Sequence, residues 1–189
     1  MLQGQIEFSK YIVMLLIQLT GLSGSGKSTI ARGVKICLEE KGFRTEVIDG
    51  DQYRKILCPD LGYSKEDRNE NIRRLGFVAN LLATQGIIAI LAAINPYEEI
   101  REELKGYGQH VKTVWIQCDL EILFLRDTKQ LYKKALLPED HPEKISNLTG
   151  VNDPFEIPSN PDLTIRTDME TEGKSIETLC AFILEKIQA

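Results

Sequence analysis

The strongest constraint on this chain is the stretch Gly21-Leu22-Ser23-Gly24-Ser25-Gly26-Lys27-Ser28-Thr29, a full match to G-x-x-x-x-G-K-[ST]. An apolar run over residues 11–19 precedes it and reads as a short buried strand. Ile30, Val34, Cys37 and Leu38 follow at helical spacing. Strand, glycine-rich loop and helix in that order make a phosphate-binding loop. Its glycines let backbone N–H groups turn toward an anion without Cβ clashes, and the helix N-terminus adds partial positive charge. Residues Gly21 to Thr29 are therefore expected around the phosphates of ATP. Lys27 can reach the β- and γ-phosphates, and the Ser28 hydroxyl can hold Mg²⁺.

Beyond the loop, strands and helices alternate. The first helix is expected to end at Lys41-Gly42, and a short strand over 45–48 runs into Asp49-Gly50-Asp51. Ser64 opens a long helix with Ile72, Leu75, Ala79 and Leu82 on one face and Gly86 closing it. Residues 87–94 are continuously apolar, as in a central parallel strand buried on both sides. A charged helix over 97–105, a strand over 111–117 and a helix from Asp119, its cap, to Arg126 come next. The chain closes with a strand over 163–166 and a helix over 174–187. The pattern predicts one α/β domain over residues 13–189, a parallel sheet with helices on both faces, preceded by an extension over 1–12. Between about 128 and 161 periodicity fails and prolines recur, so this stretch is read as a mobile lid.

At 189 residues and 42% hydrophobic, the chain is long enough for a real core. A net charge of -5 opposes a broad nucleic-acid surface, which needs clustered Lys and Arg. The N-terminal apolar run is too short to span a bilayer and lacks a basic segment before it, so no membrane association is expected. Cys37, Cys58, Cys118 and Cys180 lie far apart, which predicts reduced thiols, a cytoplasmic location and neither zinc nor disulfides.

Three further groupings carry chemistry. Asp49 and Asp51 can orient Mg²⁺ or accept a proton from an attacking hydroxyl, and Arg54 can pair with an anion; a solvated acidic turn is the plainer alternative. Arg68, Asn71 and Arg74 are spaced along one helix face, which a charged surface stripe would also explain. Lys129, Lys133 and Lys134 could screen phosphate charge from the lid, or form a solvated basic run.

These pieces together resemble adenylylsulfate kinase (APS kinase). The likeness rests on the loop, DGD at 49–51, DLGYS at 60–64, RNENIRR at 68–74, INPY at 94–97, LYKKA at 131–135 and TGVNDPFEIP at 149–158. The resemblance implies a P-loop kinase fold with a five-stranded parallel core. It also implies MgATP-dependent phosphorylation of the 3′-hydroxyl of adenosine 5′-phosphosulfate (APS), a cytoplasmic place in sulfate assimilation, and a homodimer. Carried over residue by residue, Lys27, Asp49 and Asp51 are catalytic, and Ser28 and Asp49 hold the metal. Asp51, Arg54, Tyr63, Arg68, Asn71, Ile94, Asn95, Lys129, Leu148 and Thr149 bind the acceptor, with Tyr63 against its adenine.

The chain departs from that pattern on the acceptor side. Asn95 stands where relatives often have serine, Leu148 where they usually have a stacking phenylalanine, and the lid between 135 and 148 is longer. A sister kinase acting on another nucleotide or sugar hydroxyl is the alternative. A regulatory ATPase would need a water-positioning residue and a partner surface, and a non-catalytic module would lack Lys27, Ser28 or the Asp pair.

Overall fold

Alternate residues of the central strands enter two different cores. Ile17 and Leu19 pack with Ile88, Ile90 and Ala92 on one side of the sheet, while Leu16 packs with Ala89, Leu91 and Ala93 on the other. This period-two division, both sets apolar, is what a parallel sheet covered by helices requires. The structure, a computed structural model, describes residues 13–188. Its elements in chain order are β1 (Leu16–Thr20), α1 (Lys27–Glu40), β2 (Thr45–Asp49), α2 (Gly50–Leu57), α3 (Lys65–Thr84) and β3 (Ile88–Ala92). They continue with α4 (Glu98–Lys105), β4 (Val111–Gln117), α5 (Leu120–Arg126), α6 (Leu131–Ala135), β5 (Leu163–Arg166) and α7 (Glu172–Gln188).

The five strands are all parallel in the order β2-β3-β1-β4-β5, with Leu16 opposite both Ala89 and Val111. Helices α1 and α7 cover one face, where Val34, Leu38, Leu179 and Ile183 are buried; α3 and α4 cover the other with Leu75, Ala79, Ile100 and Leu104. A third apolar cluster, Cys118, Leu123, Tyr132, Ala135 and Leu148, ties the lid to the end of β4.

Several expectations are corrected. The first strand starts only at Leu16; the predicted extension, and the beginning of the predicted strand at Tyr11, lie outside the described residues. Asp49-Gly50-Asp51 is the start of a helix and not a bare turn, because Asp49 Oδ1 accepts from the backbone N–H groups of Asp51 and Gln52 and so caps α2. Asp119 precedes α5 but makes no capping bond with its side chain. The lid contains the short helix α6. Cys37 and Cys180 form a disulfide, with Cα atoms 6.9 Å apart, against the expectation of four reduced thiols. The pair is separated by 143 residues and meets only because α1 packs on α7. Cys58 and Cys118 are free and buried.

Candidate active site

The loop after β1 turns where no side chain would fit. Gly21 has φ 147°, and a Cβ there would collide with the Ile116 carbonyl. Gly26 has φ 97° and starts α1 with no side-chain cap, so the first N–H groups of that helix remain available to an anion. Lys27 folds back over the loop and donates to the carbonyls of Gly21 at 2.9 Å and Leu22 at 2.7 Å. Burial, reinforced by the positive charge of Lys129 and only partly offset by Asp51 and Asp49, lowers its pKa to about 7.

A cavity of about 210 Å³ beside this loop is lined by Ser23, Gly24, Gly26, Lys27, Ser28, Thr29, Asp49, Asp51 and Lys129. Of the predicted lid cations, only Lys129 lines it, in an ion pair with the Asp51 carboxylate; Lys134 instead pairs with Glu143. Burial pushes the Asp49 carboxyl up. Hydrogen bonds from Ser28 and the backbone of Gln52 and Asp51, with Arg32 at 3.5 Å, outweigh it and hold Asp49 below its usual range. Asp49 is thus ionised beside the Ser28 hydroxyl.

Through the shared residues Asp51, Ala93 and Ile94 this cavity meets a second one, of about 80 Å³, lined also by Arg54, Tyr63, Arg68, Asn71 and Asn95. Seven of the ten predicted acceptor residues therefore converge here: Asp51, Arg54, Tyr63, Arg68, Asn71, Ile94 and Asn95. Arg54 and Arg68 both stand over the Tyr63 ring, at 4.7 and 5.5 Å from its centroid. Asn95 is buried at φ 48°, and its amide nitrogen donates to Gln18 Oε1 at 3.0 Å. The side-chain oxygens of Asn71 and Asn95 are buried without a hydrogen-bond partner, a cost that donors on a ligand would remove. Arg73 and Arg74 point elsewhere, into pairs with Glu70, Glu103 and Asp60.

The structure does not bring Leu148 or Thr149 into this pocket. Leu148 is in the lid cluster, and the buried Thr149 hydroxyl donates to Asp153 at 3.4 Å. Leu22 lines a separate cleft of about 690 Å³ between β4 and the returning lid. Sequence reasoning missed another cavity of about 190 Å³, which continues from Gly26 and Thr29 to Arg126, Thr167, Glu170, Glu172 and Ser175. Its position beyond the phosphate loop suits the nucleoside of a donor nucleotide. The one available signal was that the segment after β5 leaves the carboxyl edge of the sheet, where ligands bind.

Known proteins resemble this chain in sequence and fold. The chain is 47% identical over 160 residues to the adenylyl-sulfate kinase of Microcystis aeruginosa, covering 85% of this chain and 86% of that one. It is 44% identical over 167 residues to the adenylyl-sulfate kinase of Chloroflexus aurantiacus, covering 88% and 87%. Among solved structures, it resembles the Mycobacterium tuberculosis APS kinase in complex with AMPPNP and APS, with a TM-score of 0.80, 38% identity and coverage of 90% and 97%. The family description for adenylylsulphate kinase matches residues 13–166. A phosphate loop opening onto a pocket of arginines and asparagines, on a fold and sequence matched over most of their length, places this chain in the adenylylsulphate kinase family.

Proposed function

We propose that the chain transfers the γ-phosphoryl group of ATP to the 3′-hydroxyl of adenosine 5′-phosphosulfate, giving 3′-phosphoadenylyl sulfate. The observation that carries this reading is the junction at Asp51, Ala93 and Ile94 between the phosphate-loop cavity and the pocket of Arg54, Arg68, Asn71 and Asn95. Two anionic ligands can then meet end to end, one held by loop amides and the other by arginines.

Ser28 and Asp49 supply hard oxygen donors, a set that fits Mg²⁺, with phosphates and water completing the coordination. Bound with the nucleotide, Mg²⁺ would neutralise charge on the β- and γ-oxygens. Lys27 leaves the loop carbonyls for the phosphate oxygens, and Lys129 approaches from the lid. The low pKa direction of Asp49 suits an ionised organiser better than a proton acceptor. Asn95 has no hydroxyl to phosphorylate, so transfer is direct and most of the rate comes from positioning and electrostatics. Leu148 favours the second reading, a sister kinase with another hydroxyl acceptor, because it is packed away from the pocket.

We take the enzyme to work in the cytoplasm as a homodimer, both on the family resemblance, which stands alone for the location since the Cys37–Cys180 disulfide removes the reduced-thiol argument. The exposed Phe77 and Leu81 on α3 supply apolar surface for pairing. A coupled ADP-release assay across a panel of hydroxyl acceptors tests the function. Turnover strongest with adenosine 5′-phosphosulfate is expected; faster turnover of another acceptor would establish the sister-kinase reading.

A further inference from the structure

Arg68 reaches the acceptor pocket from α3, and most of what aligns it comes from the lid. Its Nε donates to the Tyr63 carbonyl at 3.0 Å and lies 3.3 Å from Asp153 Oδ2, while Nη2 donates to the Asn147 carbonyl at 2.5 Å. Among the described residues, its remaining terminal nitrogen has no hydrogen-bond partner. The Arg68 side chain is only 10% exposed and that of Asp153 18%. Asp153 does not line the acceptor pocket. Its Oδ2 also accepts from the Tyr97 hydroxyl at 3.5 Å and the Thr149 hydroxyl at 3.4 Å, and its carbonyl accepts from Gly150 at 2.7 Å. The carboxylate is thus anchored from two sides, by α4's preceding residue and by the lid, with the guanidinium as its third partner.

A guanidinium recognises a phosphate or sulfate only in the plane of its fork, so an arginine free to rotate loses much of its selectivity for such groups. Inside the pocket, a carboxylate would repel an anionic acceptor. Behind the arginine, it fixes the plane while leaving a terminal nitrogen for the ligand. We infer that Asp153 is a positioning residue for acceptor binding, holding Arg68 in its anion-binding orientation from the lid. Asn147 and Asp153 both belong to that segment, so the full alignment of the arginine, beyond what the Tyr63 carbonyl supplies, requires residues 147–153 to lie against α3. Lid placement and acceptor recognition are thereby one event.

The inference rests on the acceptor reading above, and the test separates the two. Asp153→Asn keeps the shape of the side chain and its capacity to accept from Tyr97 and Thr149 while removing the charge. Its KM for adenosine 5′-phosphosulfate should rise roughly tenfold, the loss of about one charge-assisted hydrogen bond, with kcat and the KM for ATP nearly unchanged. Asp153→Glu should recover part of that loss. In an Arg68→Ala background, Asp153→Asn should add no further increase, because its effect runs through the arginine. Equal rises in both KM values with a lowered unfolding midpoint would reveal a merely structural role and overturn the inference. So would an undiminished effect without Arg68. A wild type inactive with adenosine 5′-phosphosulfate would instead overturn the acceptor reading. The same paired substitutions would then be read on the acceptor it does use.

Discussion

The ammonium nitrogen of Lys27 stands 2.7 Å from the carbonyl oxygen of Leu22, so the lysine of the phosphate loop is bound to its own loop. Carbonyl dipoles cannot replace lost water fully, and burial beside Lys129 brings the pKa to about 7.

A polyphosphate supplies the missing countercharge. At pH 8 Lys27 is largely neutral in the free protein, so ATP binding should take up nearly one proton, and at pH 6 almost none. Titration calorimetry in buffers of different ionisation enthalpy measures this. The sign for stability follows from the same shift. Between about 7 and the ordinary value of 10.5, the folded chain binds fewer protons at Lys27 than the unfolded chain. Its contribution therefore improves as pH rises through that window and is least favourable below 7. In Lys27→Met this upward slope should disappear from denaturant titrations run across the window.

Asp49→Asn separates two roles of one residue. Asparagine caps helices about as well as aspartate, so α2 should persist and the protein should fold normally. The charge beside Ser28 is lost, so turnover should fall by orders of magnitude while ATP still binds. Single-turnover kinetics alongside nucleotide titration will show both.

Leu148→Phe would install the phenylalanine that the family resemblance implies at this position, but here it enters a filled space. Leu148 is only 6% exposed, packed with Leu123, Tyr132 and Ala135. The larger ring should cost about 1–3 kcal/mol of stability through overpacking. It should leave acceptor affinity no tighter; thermal unfolding and acceptor titration check the two halves.

The Cys37–Cys180 disulfide should make stability sensitive to reductant. Cleaving it should cost about 2–4 kcal/mol, since a long loop of the unfolded chain is no longer closed. The unfolding midpoint should fall in dithiothreitol, and the double variant Cys37→Ser, Cys180→Ser should show no such response.

Where local pattern alone decides, the sequence was legible. The strand predicted over 111–117 is β4 residue for residue, and Ser64 accepts from the Asp67 N–H as the cap of α3. The acceptor residues carried by the resemblance meet in one pocket wherever a helix or strand end places them. What was missed depends on chain segments far apart in sequence. Glu98-Glu99-Ile100-Arg101-Glu102 reads as part of a short charged helix, with nothing to mark Arg101 as buried, yet Arg101 is 1% exposed. It donates to the carbonyls of Asn95 and Glu156, and Glu156 belongs to a segment that returns more than fifty residues later. Leu148 likewise looked like a pocket residue until the fold of the lid buried it. Arg126 and Thr167 show no motif at all and meet only in three dimensions.

Every residue lining the pocket of Arg54, Arg68, Asn71 and Asn95 comes from the continuous stretch 50–96, and three of them, Asp51, Ala93 and Ile94, also line the phosphate-loop cavity. Such a layout makes a modular exchange of this stretch costly. Recombination across its two ends would replace strand β3 and part of the phosphate-loop cavity together with the recognition wall. Acceptor choice is then open to change by single substitutions, and each must still leave the lid an arginine to grip.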